Sequence, residues 1–191
     1  MKLIFIRHGQ TDWNIQGKIQ GSYDSDLNNT GIKQAIEVSE LLLNLNYKLS
    51  KIYTSPQKRA LQTAKILSEY SNIEYIPIDD LREINMGKWE GLSWQEVEEK
   101  YPSEYKEWYL NRQYTKTPNG ESYEGMLKRV LDAINKIIAE NNDDVVIVSH
   151  SAIIMGLQCY VTNTPFNDML KFKTKNANIT EIDSTLFTLH K

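Results

Sequence analysis

Met1 to Asn14 reads MKLIFIRHGQTDWN. Four apolar residues, Leu3 to Ile6, run straight into Arg7-His8-Gly9, which puts a cation, an imidazole and a flexible backbone hinge at the end of a buried strand. An apolar run this short, closed by glycine and polar residues, suits an interior strand of a parallel sheet. Ligands of open α/β sheets bind just beyond the carboxyl ends of such strands. Arg7 and His8 are therefore expected to face the crevice and to handle an anion.

Arg-His-Gly alone is only three residues, and such triplets occur in turns with no chemical role. A second apolar run, Val145 to Val148, ends in Ser149-His150-Ser151 and enters a helical pattern at Ala152. A core histidine held by hydrogen bonds remains open for either position. Two of the chain's three histidines at equivalent strand ends argue for one shared site. The third, His190, is read as solvated near the end of the sequence.

Between these runs the pattern alternates. Thr30-Gly31 opens a helix with apolar positions at Ile32, Ala35, Ile36, Val38, Leu42 and Leu43, and Ile52-Tyr53 is a short strand. Ser55-Pro56 is read as the N-cap and first residue of a helix reaching about Tyr70. Glu74 to Ile78 alternates as a further strand, and Leu81-Arg82-Glu83 follows in a loop with Gly87 and Gly91. Ser93 to Lys100 and Ser103 to about Tyr109 read as two short helices separated by Pro102, and a long amphipathic helix runs from about Ser122 to Ala139. Asn178 to Leu189 reads as an edge strand or hairpin. Alternating strands and helices imply an α/β sandwich with a mainly parallel sheet.

The 191 residues fit one domain, and 40% hydrophobic with 25% charged residues is ordinary for a soluble globular chain. A formal charge of −3 gives no basic footprint for nucleic acid, so an anionic substrate must be drawn in by local arginines. The lone Cys159 has no disulfide partner, and the scattered histidines lack zinc-site spacing, so no metal is expected. No apolar stretch suits a signal peptide or membrane span, since Val145 to Val161 is broken by Ser149-His150-Ser151. The reading is a cytoplasmic protein without membrane or nucleic-acid partners.

Four segments then line up: Arg7-His8-Gly9-Gln10-Thr11 with Asn14; Ser55-Pro56-Gln57-Lys58-Arg59-Ala60 with Thr63-Ala64; Leu81-Arg82-Glu83 followed by Gly87-Lys88-Trp89-Glu90-Gly91; and Ser149-His150 after an apolar strand. Together, over nearly the whole chain, they resemble the histidine phosphatase superfamily, also called the phosphoglycerate mutase-like family. The resemblance implies a three-layer sandwich, a single domain over 1–191, and a small helical cap at about 89–120. It implies His8 as nucleophile, Arg7, Arg59 and His150 as the phosphate pocket, and Glu83 as proton donor. Asn14 and the backbone around Gln20-Gly21 resemble the segment that helps hold phosphate or substrate. Ser151 stands where the family commonly has glycine; a side chain there crowds the phosphate or lends it a hydroxyl.

The implied activity is a cofactor-free phosphomonoesterase acting on small phosphorylated metabolites through phosphohistidine. A 2,3-bisphosphoglycerate-dependent phosphoglycerate mutase is an alternative, although such mutases are generally longer. An α-ribazole phosphatase is a more specific assignment, and a non-catalytic phosphate-binding protein a further one. Cysteine-phosphatase, nucleotide-triphosphate-loop and Gly-x-Ser-x-Gly patterns are absent. Trp89, Trp94, Tyr101, Tyr105, Trp108, Tyr109 and Tyr114 crowd the segment after Glu83. Either some rings contact an organic leaving group, or Tyr101, Tyr105, Trp108 and Tyr109 pack the cap onto the core; helical spacing favours packing.

Overall fold

A computed structural model describes residues 1–188; His190, read above as solvated, lies outside the described residues. The predicted apolar runs form neighbouring parallel strands, β1 (Lys2–Arg7) and β4 (Asp144–Ser149), with Leu3 opposite Val145 and Arg7 opposite Ser149. With β2 (Leu49–Thr54), β3 (Tyr75–Pro77) and β5 (Ile179–Asp183) they make a five-stranded sheet in the order β3-β2-β4-β1-β5. All pairings are parallel except β5, which runs antiparallel to β1 along the edge.

Side chains of a strand alternate between faces, and this separates two cores. Ile4, Ile6, Val146 and Val148 point toward Val38 and Leu42 of helix α2 (Asn29–Leu43) and Ala60, Ala64 and Leu67 of α3 (Lys58–Ser71). Leu3, Phe5, Val145 and Ile147 point toward α6 (Tyr123–Glu140) and α7 (Ser151–Val161). The result is the three-layer sandwich, helices on both faces of a mainly parallel sheet. In α6, Met126, Val130, Ile134 and Ile137 recur at helical spacing and are buried, each contributing on the order of 1.5–3 kcal/mol relative to exposure.

The remaining helices are short: α1 (Asp12–Ile15), α4 (Trp94–Lys100), α5 (Pro102–Leu110) and α8 (Thr185–Thr188). Ser93 caps α4 through a reciprocal capping box with Glu96, and Pro102 starts α5. Two boundaries differ from the sequence reading. Helix α2 begins at Asn29, with the Asn28 side chain accepting from the Gly31 amide at 2.9 Å. Ser55-Pro56 does not open α3; Gln57 is its N-cap, and the Ser55 hydroxyl accepts from the Gln57 amide at 3.3 Å while also contacting His150.

Gly9 and Gly31 allow a close backbone crossing. A Cβ on Gly9 would lie 2.4 Å from the Gly31 carbonyl oxygen, and one on Gly31 would lie 2.1 Å from that of Gln10. The first turn of α2 therefore sits directly on the loop carrying His8. No helix among the described residues is long and apolar enough to cross a membrane.

Candidate active site

The register of β1 and β4 delivers His8 and His150 side by side. The His8 amide donates to the Ser149 carbonyl at 3.0 Å, and the two imidazole centroids lie 5.3 Å apart. Both residues are buried. Nδ1 of His8 is 2.7 Å from the carbonyl oxygen of Gly9. A carbonyl only accepts, so Nδ1 carries the proton and Nε2 keeps a free lone pair. Burial, reinforced by the charges of Arg59 and Arg7, holds His8 well below the usual imidazole range, so the ring is neutral. His150 is pushed the same way, first by burial and then by Arg59 and His8. Its Nε2 contacts the Ser55 hydroxyl at 2.8 Å.

Two guanidinium groups flank the histidines. Arg59, on the first turn of α3, is fully buried and donates to the carbonyls of Tyr23 at 2.6 Å and Gly21 at 2.9 Å. Burial lowers its pKa to about 10, and the nearby Glu83 carboxyl is the main opposing influence. Arg7 donates to the Thr174 carbonyl at 2.6 Å. Arg7 Nε, Arg59 Nε and His150 Nδ1 are buried without a hydrogen-bond partner among the described residues. Buried polar atoms normally find partners, and three such nitrogens beside one histidine suit an oxyanion.

Glu83 enters from the loop after β3. Its carboxylate oxygens accept from the amides of Ile84 at 3.0 Å and Ala152 at 3.2 Å, the latter in the first turn of α7. Burial raises its pKa, outweighing the lowering by Arg59 and these two amides. Buried Gln57 ties this loop to the Gly21 loop, accepting from the Glu83 amide at 2.8 Å and donating to the Gly21 carbonyl at 2.9 Å.

Asn14 accepts through Oδ1 from the Thr11 amide at 3.0 Å and from Asn176 at 3.1 Å. Asn14 itself borders a cavity beside His8. Gln20 is held by the hydroxyls of Thr11 and Ser25, so its side chain supports the loop. One cavity of about 380 Å³ brings together Arg7, His8, Asn14, Gln20, Gly21 and Arg59. Glu83 and Ser151 line the same cavity. His150 is not on its wall and is fully buried against His8. Trp94, Tyr105, Trp108 and Tyr109 also border the cavity, and Trp108 is at the same time buried in the apolar cluster with Trp89 and Val97. Packing and cavity lining thus fall to the same rings.

Ser55, Gln57, Asn176, Arg112 and Arg129 are not read as site residues from the sequence. Ser55 and Gln57 lie inside the quoted Ser-Pro-Gln-Lys-Arg-Ala run, whose local signal is helix initiation. Nothing local marks the other three.

The model of the histidine phosphatase superfamily (branch 1) matches residues 3–186. Phosphoserine phosphatase 1 of Hydrogenobacter thermophilus is 33% identical over 183 residues, covering 95% of this chain and 86% of the relative. Among solved structures, Bacillus stearothermophilus YhfR superposes with a TM-score of 0.86 at 28% identity, over 95% of this chain and 90% of that one. A phosphoserine phosphatase of Entamoeba histolytica, solved with 3-phosphoglyceric acid, gives a TM-score of 0.82 at 32% identity, over 94% and 89% of the two chains. The chain belongs to the histidine phosphatase superfamily, as a phosphoric monoester hydrolase of its first branch.

Proposed function

We propose that the protein hydrolyses small phosphomonoesters by two displacements at phosphorus, with His8 as the covalent relay. Nε2 of His8 attacks in line, forming a P–N bond as the ester P–O bond breaks. Protonated Glu83, whose pKa burial raises, gives its proton to the departing alkoxide. Water then attacks phosphorus, Glu83 takes up its proton, and the P–N bond breaks to release inorganic phosphate and neutral His8. The atoms balance without a metal. Charge on the three equatorial oxygens is met by Arg7, Arg59, His150 and the Asn14 amide, preorganised donors that need no reorientation during reaction. Gly21 contributes backbone to the cavity wall, and Ser151 adds a hydroxyl at the start of α7.

The observation that carries this reading is the 2.7 Å contact from His8 Nδ1 to the Gly9 carbonyl, because it fixes the tautomer a nucleophile requires. Hydrolysis rather than mutase chemistry is supported by the two relatives named phosphoserine phosphatases, of Hydrogenobacter thermophilus and Entamoeba histolytica. The whole chain serves as one unit in this reading, with α4 and α5 as a cap beside the cavity. Phosphoserine and phosphoglycerate, taken from the relatives' names and complexes, head the substrate set. Incubation with 3-phosphoglycerate and catalytic 2,3-bisphosphoglycerate tests it: phosphate release faster than formation of 2-phosphoglycerate is expected, and faster isomerisation overturns the reading.

A further inference from the structure

The ends of β2, β4 and β1 stand in a row, because the three strands are parallel neighbours in the sheet. Each is followed at once by a polar side chain: Ser55 after β2, His150 after β4 and His8 after β1. The Ser55 amide donates to the Val148 carbonyl at 3.0 Å, which carries the β2–β4 ladder one residue further and sets Ser55 beside His150. Both residues are fully buried.

The two histidines have opposite tasks in the hydrolytic reading. His8 needs a bare Nε2 to attack phosphorus, and the Gly9 carbonyl supplies it by holding the proton on Nδ1. His150 has to present an N–H to a phosphoryl oxygen, and its Nδ1 is buried without a partner among the described residues. Burial keeps this ring neutral too. A neutral imidazole carries one proton, so Nδ1 can donate only where Nε2 accepts.

Nε2 of His150 meets the Ser55 hydroxyl at 2.8 Å. That hydroxyl oxygen already accepts from the Gln57 amide at 3.3 Å. The other acceptor for its proton, Gln57 Oε1, lies 3.5 Å away and is itself occupied by the Glu83 amide at 2.8 Å. A hydroxyl proton goes to the short contact over the long one. We propose that Ser55 is a positioning residue, whose hydroxyl donates to Nε2 of His150 and so keeps the His150 proton on Nδ1 for the transferring phosphoryl group. This rests on the hydrolytic reading above and adds to it a residue that touches no substrate atom and selects one of two tautomers of its neighbour.

Nitrogen-15 NMR of the histidine-labelled wild type reads the tautomer in the resting enzyme, with the His150 signals assigned by their loss in His150→Ala. A protonated Nδ1 and a bare Nε2 are expected, and saturating inorganic phosphate should shift the Nδ1 proton as it gains an acceptor. A proton on Nε2 overturns the proposal, whether or not any Ser55 variant folds, and an Nδ1 proton indifferent to phosphate overturns it as well. Ser55→Ala, with its fold checked by circular dichroism, should move the His150 proton toward Nε2. It should also lower kcat by about 10- to 100-fold for glycerol 3-phosphate and p-nitrophenyl phosphate alike. Ser55→Cys, which keeps a weak donor, should retain part of the rate, and Ser55→Ala should cost little more once His150 is alanine. A loss confined to glycerol 3-phosphate means that Ser55 works through Gln57 and the Glu83 loop, and overturns the proposal. An equal loss with the His150 tautomer unchanged means that Ser55 only packs, and does the same. The expected tautomer and phosphate shift in an enzyme that hydrolyses no ester sustain the role of Ser55 and sink the hydrolytic reading instead.

Discussion

Arg129 and Glu121 form a two-point ion pair, with Nε to Oε1 at 2.8 Å and Nη2 to Oε2 at 2.9 Å. The same guanidinium donates to the carbonyls of Asp80 and Arg82, each at 2.7 Å, and of Glu83 at 3.2 Å. Glu121 in turn accepts from the Asn85 amide at 3.0 Å. The pair therefore clamps both sides of the loop that presents Glu83. Replacing Arg129 by Met is expected to slow hydrolysis of alkyl phosphates, whose leaving groups need a proton, by about 10- to 100-fold. Aryl phosphates such as p-nitrophenyl phosphate, whose leaving group departs unassisted, should lose far less. Equal losses for both ester classes would show that Arg129 does not act through Glu83.

In the proposed mechanism the pKa shifts of His8 and Glu83 set the pH profile. His8 attacks as the neutral ring, and its pKa lies well below 6.5, so the nucleophile is ready throughout the neutral range and is lost only in acid. Glu83 must be protonated to donate, and its pKa is raised above 4.5, so alkyl-ester activity falls as pH rises through that titration. Glu83→Gln should remove this falling limb and reduce the alkyl-ester rate by about two to three powers of ten. The substrate's own ionisation is common to both enzymes, so the ratio of their kcat/KM profiles isolates Glu83. A ratio that does not vary with pH places the donor elsewhere.

Loss of the Arg59 charge acts differently. Arg59→Gln removes a preorganised donor to the transferring phosphoryl group, at a cost of about two to three powers of ten in kcat. Alkyl and aryl phosphates should suffer alike, in contrast to the Arg129 variant. Turnover close to wild type for either ester contradicts the role given to Arg59.

Gly21 has φ of +51°, and a Cβ there would lie 2.2 Å from Oε1 of Glu90, which itself accepts from the Ser22 and Met86 amides. Gly21→Ala should destabilise the fold by about 1–3 kcal/mol, lowering Tm by roughly 2–4 °C per kcal/mol. It also shifts the carbonyl that anchors Arg59 and Gln57, so activity falls with stability. Thermal melting followed by circular dichroism checks this, and an unchanged Tm contradicts it.

What was legible in the chain depended on how local its physical cause is. The strands ending at Arg7 and Ser149 are buried on both faces, which writes an unbroken apolar run, and His8 and His150 follow as their next residues. The edge strand β5 is half exposed, so its pattern reads equally as strand or hairpin; the structure makes it a strand followed by the turn of α8. Ser55-Pro56 misleads because its hydroxyl does accept from a nearby amide, that of Gln57, but one residue before the helix, and its contact with a histidine 95 residues away leaves no local signal. Gln57 and Arg129 owe their significance to groups brought near by folding, and an arginine's charge looks the same in sequence whether it is solvated or clamped in an ion pair.

The covalent step at His8 is tested most directly by rapid quench of the enzyme during turnover of a ³²P-labelled ester, followed by mapping of the labelled peptide. An acid-labile, alkali-stable label on His8, appearing and decaying at rates that account for kcat and missing from His8→Ala, is the expected result. Steady release of inorganic phosphate with no label on that imidazole at any time point would contradict phosphoryl transfer through His8.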